Sequence, residues 1–563
     1  MKKKLLPFLL IFFPLWCLAQ LAPGKYFVEF TDKSDSPFSI DHPLAFLSQR
    51  AIDRRTMQRI AITTGDFPVN PSYIQGIRQT GAQVIHASRW FNGAIIGTHN
   101  PAVIAAIDTL PYVKRVVKSK VPSQASKMKI IKQDSDISEE KGNPRILNKE
   151  QKETMGQHYA YGESYRQVNM LNGVELHNRG LTGKGMVIAV LDAGFFYVDS
   201  IAAFDSLRAR HGILGTRDFV SPGSDVYRGD HHGMYVLSLM GGNLPGELIG
   251  TAPGASYWLL RTEDADSEYI VEEYNWVCAA EFADSVGADV INSSLGYTQF
   301  NDSTQNHTCD DMNGNTTPVT RGANIAASKG MVIVNSAGNS GGKPWKCISA
   351  PSDGFDVLCI AAVDSNDLYA PFSSWGRIAG NYVKPDVAAQ GARTVVASTA
   401  GGTFRNNGTS FSSPLTAGLV ACLWQAFPGT NNQTLLRTVR ESASQYDHPD
   451  TLIGYGIPDF LKAYETLKSP STNDRLIKVY PLPFRDVLNL EFYSSVDQDI
   501  SIEAYDMLGN LVFSKDHLPC VQGMTNIRTR ELETLRQGQY ILKITSGKMH
   551  ATRRIVKLSV SLQ

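Results

Sequence analysis

The chain has no excess of charge of either sign, with 54 Lys and Arg against 54 Asp and Glu. That balance removes the long-range pull toward nucleic acid or an anionic membrane surface, so neither is expected as a partner. Long apolar runs are missing beyond Leu18, which excludes a membrane span in the mature form. Cysteine is scarce, 7 in 563 residues, and the spacing of Cys278, Cys309, Cys347, Cys359, Cys422 and Cys520 matches no zinc motif. Extended disorder is excluded as well, since 19% of residues are charged and 42% hydrophobic. A chain this long cannot be built on one ordinary core, and two to four domains are expected.

What is present begins with an export signal. Met1-Lys2-Lys3-Lys4 and the apolar run Leu5 to Leu18 have the basic head and short hydrophobic middle of a signal peptide, residues 1–19. Cleavage after Ala19 leaves Gln20 as the new N-terminus. Trp16 is too bulky for the small residue expected before a lipidated cysteine, so Cys17 is not read as an anchor.

Four segments follow. In 20–120, strand Tyr26–Phe30, helix Pro71–Gly81, two strands about Asn92-Gly93, helix Pro101–Leu110 and strand Tyr112–Val117 give a ferredoxin-like β-α-β-β-α-β order, with an extra helix within Asp41–Ile60. Residues 121–155 are polar and aperiodic, an exposed linker suited to a maturation cut. From 156 to 468, strands Val187–Leu191, Tyr257–Leu260, Val290–Asn292, Met331–Asn335 and Val357–Val363 alternate with helices, which predicts a doubly wound, mostly parallel α/β sheet. Helix Glu268–Val286 carries a core stripe of Ile270, Tyr274, Val277, Cys278 and Phe282. Past the linker Ser469–Asn473, residues 474–563 show short strand-like runs at 487–492, 500–505, 511–513, 540–545 and 555–560, a β-sandwich pattern.

Chemistry gathers in the α/β segment. Gly408-Thr409-Ser410-Phe411-Ser412-Ser413-Pro414 sets a small serine where a loop turns into an apolar helix, with Pro414 expected in the first turn. A serine hydroxyl needs a base and a group to orient that base. Asp192 ends a continuous apolar strand, and Asp230-His231-His232-Gly233 opens a helix-like run. Val334-Asn335-Ser336-Ala337-Gly338-Asn339 brings an amide to the end of another strand. Taken singly, Asp192 could cap a helix, His232 sit satisfied in a core, Ser410 be an N-cap and Asn339 a turn residue with positive φ. Four such motifs in order on an α/β pattern point instead to nucleophilic hydrolysis.

The order Asp192, His232, Ser410 with these local motifs resembles the subtilisin-like serine proteases, the subtilases. The resemblance selects His232 over His231 through its His-Gly signature, although Met234 stands where a threonine is usual. It implies a subtilisin-like fold, a secreted endopeptidase, catalytic Asp192, His232 and Ser410, and Asn339 as oxyanion donor. It also makes Ser294, Leu295 and Gly296 the edge that pairs with extended substrate, and Gly250–Ala255 a structural turn. Segment 20–120 resembles an inhibitory subtilase propeptide. Val479-Tyr480-Pro481, Tyr505-Asp506-Met507-Leu508-Gly509 and Gly538–Lys543 resemble type IX secretion sorting domains, with Leu482 in place of the usual asparagine. Protein or peptide substrates, the chain's own propeptide and the type IX machinery are the implied partners, with secretion or surface display via the periplasm.

No cofactor is required by this reading. The loop Cys309–Gly314 raises a structural calcium, but an EF-type loop needs an oxygen ligand where Cys309 stands and a glutamate that does not follow, so a polar surface loop is expected. Cys278, Cys359 and Cys422 lie in apolar patterns and read as buried hydrophobes. Cys309 and Cys347 lie in polar stretches, and a disulfide between them would brace the loop beside Asn339. Two other functions compete: an inactive subtilase-fold binding protein or adhesin, and a lipase or esterase. The second needs acid and histidine after the serine, contrary to the order here.

Overall fold

The computed structural model describes residues 20–117, 159–379, 382–468, 475–547 and 549–558. The signal peptide, the 121–155 linker and the Ser469–Asn473 linker lie outside the described residues.

A seven-stranded sheet organises the middle of the chain, in the order Val387–Gln390, Val357–Val363, Val332–Ser336, Val290–Ser293, Val187–Asp192, Ser256–Arg261, Ile213–Asp218. Every neighbouring pair in it is parallel. The innermost strands are buried along their whole length because both faces are covered, and they are apolar except toward their C-terminal ends. Ile188 and Val190 pack with helices His232–Gly241 and Thr409–Ala426 on one side. Val187, Ala189 and Leu191 pack with helices Val271–Val286 and Pro318–Ser328 on the other. The five strands expected from sequence are all present, with bounds shifted by a residue at most. Two short strands at the sheet margins, Ile213–Asp218 and Val387–Gln390, were not anticipated. The structured part of the long helix starts at Val271 rather than Glu268.

The N-terminal unit has the expected order of two helices and four antiparallel strands, arranged Gln83–Ser88, Gly93–Gly97, Lys25–Phe30, Val113–Val116. Its two helices open identically, with Asn70 or Asn100 capping and a proline in the first turn, where the missing N–H has no helical partner to lose. The extra helix is Gln49–Met57. It lies against the far side of helix Val271–Val286, and there the two units share charge. Arg54, Arg55 and Arg89 all reach the carboxylate of Asp284, which is 0% exposed. Glu281 accepts hydrogen bonds from the Ser88 hydroxyl (2.6 Å) and the amides of Arg89 (2.8 Å) and Trp90 (3.1 Å). Leu21, Ala22, Phe27 and Ile95 fill the apolar part of this contact.

The C-terminal unit is two facing sheets. One has three strands, Arg475–Tyr480, Leu488–Ser494 and Gly523–Thr529; the other has four, Leu511–Cys520, Gln498–Asp506, Gly538–Ser546 and Met549–Lys557. Alternate residues such as Ile500, Ile502 and Ala504, and Tyr540, Leu542 and Ile544, point into one core, the period-two pattern of a sandwich. No helix among the described residues is long and apolar enough to cross a membrane.

Candidate active site

Three elements deliver the central residues to the C-terminal edge of the parallel sheet, where open α/β sheets place their crevice. Asp192 is the last residue of its strand and is 0% exposed. His232 opens the helix His232–Gly241, and its Nδ1 lies 2.7 Å from Asp192 Oδ1. The same oxygen accepts the Ala193 amide at 2.8 Å, so the carboxylate is held from two sides. His231 instead faces Tyr235, with ring centroids 4.9 Å apart. The glycine after His232 has a steric reason. A Cβ on Gly233 would meet Gly194 O at 2.4 Å and Asp192 Cβ at 2.9 Å, so a larger residue would push the histidine off the aspartate.

Burial pulls the His232 imidazolium down, but the charge and hydrogen bond of Asp192, helped by Asp230 and Glu263, carry its pKa above the ordinary 6.5. The ring keeps 20% of its side-chain surface exposed, enough to be reached from the crevice. Its neighbour on the serine side is Phe411, at 6.2 Å between centroids.

Ser410 is the second residue of helix Thr409–Ala426. Pro414 therefore lies in the second turn of that helix, not the first as the sequence suggested, and the reason is local. Proline at this position cannot donate to the carbonyl four residues back, which belongs to Ser410. That carbonyl accepts the Ser294 hydroxyl instead, at 2.9 Å, while the Ser410 hydroxyl donates to the Ser294 carbonyl at 3.2 Å. The two serines are clasped to each other, and the Ser410 hydroxyl is turned to Ser294 rather than to His232. Ser294 itself is 5% exposed, whereas Leu295 and Gly296 are half-buried.

Asn339 follows Gly338, whose φ of 105° makes the turn that Asn339 itself was a candidate for. Its Oδ1 accepts both the amide and the hydroxyl of Thr409, each at 2.9 Å. Fixing the carbonyl end leaves the amide Nδ2 directed toward Gly408, whose ideal Cβ position is 3.6 Å from it. The Ser410 N–H lies in the first helical turn, where backbone donors have no partner within the helix. Thr409 was not singled out from sequence; the signal was its place before Ser410 with a hydroxyl able to clamp a side-chain amide.

Cys309 and Cys347 are joined across a sequence separation of 38, closing a loop that contains strand Val332–Ser336 and the turn to Asn339. Cys278, Cys359 and Cys422 are buried free thiols, as their apolar settings implied. In the 309–314 loop, Asp311 accepts the Thr308 amide and hydroxyl at 2.8 Å and so caps its own turn. Glu263, just beyond strand Ser256–Arg261, is held by the Tyr297 hydroxyl; burial raises its pKa to about 7. Neither Glu263 nor Tyr297 belongs to any pattern that the sequence made visible.

Residues 183–456 match the subtilase family. The chain's central domain belongs to that family. Residues 25–135 match the S8 peptidase propeptide domain of Bacteroidota, and residues 478–558 a secretion-system C-terminal sorting domain. The subtilase is 23% identical over 392 residues to a thermostable alkaline protease of Halalkalibacterium halodurans, covering 69% of this chain and 93% of that one. It is 28% identical over 270 residues to subtilisin BL of Lederbergia lenta, covering 48% and 87%. Among solved structures, MycP1 of the ESX-1 type VII secretion system aligns at 21% identity and a TM-score of 0.42, over 55% of this chain and 87% of that one. By its three domain matches and its likeness to the thermostable alkaline protease and subtilisin BL, the subtilase is a secreted subtilisin-like serine endopeptidase, made with a propeptide and carrying a type IX sorting domain for secretion or surface export.

Proposed function

We propose that Ser410 is the nucleophile of this endopeptidase, His232 its general base and acid, Asp192 the group that orients the histidine, and Asn339 the side-chain oxyanion donor. The observation that carries the assignment is the 2.7 Å bond between Asp192 and His232 beside the helix that bears Ser410. With Nδ1–H donated to Asp192, the histidine presents Nε2 as the acceptor for the serine proton. A rotation about the Ser410 side chain exchanges the Ser294 carbonyl for that nitrogen. Ser410 Oγ then attacks the scissile carbonyl and the proton passes to His232. The oxyanion is met by Asn339 Nδ2 and the Ser410 N–H, both fixed before the reaction and so requiring little reorganisation. His232 returns its proton to the leaving amine, and water repeats the sequence on the acyl-enzyme. Extended substrate backbone lies along Ser294, Leu295 and Gly296, which selects for unfolded segments of protein.

The domain limits follow the same reading: signal peptide 1–19, inhibitory propeptide 20–120, linker 121–155 containing the maturation cut, catalytic domain 156–468, and sorting domain 474–563. The sorting domain is read by the type IX machinery after passage through the periplasm. It takes no part in peptide-bond cleavage.

Ser410→Ala and Asn339→Ala separate the roles. In subtilisin, loss of the serine lowers kcat about 10⁶-fold and loss of one oxyanion donor about 10²- to 10³-fold. Active-site labelling with a fluorophosphonate should fail on Ser410→Ala and be slowed on Asn339→Ala. Equal residual turnover in the two variants would overturn the assignment.

A further inference from the structure

Close to this site, Glu263, Glu268 and Glu272 converge, each with an oxygen within 4.8 Å of the others. Glu263 follows strand Ser256–Arg261, and Glu272 sits in the first turn of helix Val271–Val286, so two rigid elements and a short loop set the spacing. Glu263 is 8% exposed and Glu272 2%, with Glu268 half-buried at the opening. Among the described residues no Lys, Arg or His pairs with any of the three. Arg261 is engaged with Asp218 and Asp264, His307 with Glu273, and His232 with Asp192. Neutral donors reach only part of the cluster. Tyr297 and Thr262 hydroxyls go to Glu263 Oε1, and the Asp264 amide to Glu272 Oε1 at 2.7 Å. Glu272 Oε2 is buried with no hydrogen-bond partner at all.

Buried charge of one sign must be neutralised by protons or by a cation. Oxygens bound to one calcium lie roughly 2.3–2.6 Å from it, so two of them are at most about 5 Å apart. The spacing of the three carboxylates fits that sphere, and the all-oxygen donor set suits a hard ion rather than zinc or copper. The irregular mix of two fixed carboxylates and one on a loop suits calcium better than magnesium, which demands near-octahedral geometry.

We propose that Glu263, Glu268 and Glu272 form a calcium site that braces the rim of the substrate crevice. Through Glu263 the ion is one hydrogen bond from Tyr297, which directly follows the substrate edge Ser294–Gly296. The site is independent of the catalytic assignment, so its test can be run on a chain that cannot cleave itself.

The test uses the full secreted chain carrying Ser410→Ala, stripped with a chelator and titrated with calcium by calorimetry and with terbium by tyrosine-sensitised emission. Saturable terbium emission that calcium displaces is expected, with Tyr297 as donor. Glu272→Gln and Glu268→Gln should each weaken calcium binding by about tenfold or more. Tyr297→Phe should lose most of the sensitised emission while still binding calcium. Should Glu272→Gln not fold, Glu268→Gln at the half-buried opening carries the same comparison. Absence of uptake at millimolar calcium would show that protons neutralise the cluster and overturn the proposal. Calcium affinity unchanged in both glutamine variants would overturn it too. So would a lysine- or arginine-rich peptide whose binding, rather than that of calcium, is lost with these substitutions.

Discussion

At the scale of single residues, the site depends on what each polar group is prevented from doing. Asp192 uses Oδ1 for His232 and Ala193, while its Oδ2 is buried without a partner, so the carboxylate's charge is held next to the imidazole undiluted by solvent. That proximity gives a pH prediction. On the proposed assignment the base form of His232 is the reactive one, and its pKa is raised, so kcat/KM should climb as pH rises through a value above 6.5. Asp192→Asn removes the upward push and leaves burial, which favours the neutral ring. The acid limb of kcat/KM should then move to lower pH while kcat falls about 10⁴-fold. A limb that stays in place would mean that Asp192 does not set the histidine's proton affinity.

At the scale of elements, the opening of helix Thr409–Ala426 is tied down by an exchange rather than by a cap. Ser294→Ala leaves the Ser410 carbonyl buried without a donor, because Pro414 supplies none, and should cost about 1–3 kcal/mol of stability. Adding Pro414→Ala restores an N–H in helical register with that carbonyl. The double variant should therefore regain part of the melting temperature lost by Ser294→Ala, whereas simple addition of two losses would refute the exchange. Pro414 also marks the limit of what the sequence revealed. A proline near a helix start suggests the first turn, and only the partner of its missing N–H shows why it stands in the second. The five inner strands were legible because burial on both faces demands unbroken apolar runs. Ile213–Asp218 escaped notice because it is a margin strand carrying exposed Leu214, Thr216 and Arg217. Val387–Gln390 is four residues long directly after Pro385-Asp386. In the C-terminal sandwich, Gly523–Thr529 alternates too weakly to register, and Leu511–Cys520 continues past Phe513 through Lys515 and Asp516 on an exposed edge. The catalytic motifs were visible because each is contiguous; Thr409's clamp, the Ser294 clasp and the three glutamates unite distant side chains and leave no local mark.

At the scale of the whole molecule, the N-terminal unit is bound to the protease through shared charge, three of its arginines meeting one buried carboxylate. Asp284→Ala would leave Arg54, Arg55 and Arg89 buried at the contact without their shared carboxylate, a change that costs roughly 3–5 kcal/mol when a buried pair is broken. The isolated 20–120 segment should therefore inhibit the Asp284→Ala mature enzyme at least 100-fold more weakly than the unsubstituted one, with turnover of a short peptide unaltered. Equal inhibition of both would place the binding energy elsewhere. The contact also has a consequence in time. A seam that combines Asp284, Glu281 and an apolar patch around Phe27 and Ile95 should hold when the chain is merely cut. The severed segment stays seated until some already liberated molecule digests it. Onset of activity in a fresh culture should then be a chain reaction: a lag that shortens with enzyme concentration, and one that a trace of mature enzyme abolishes.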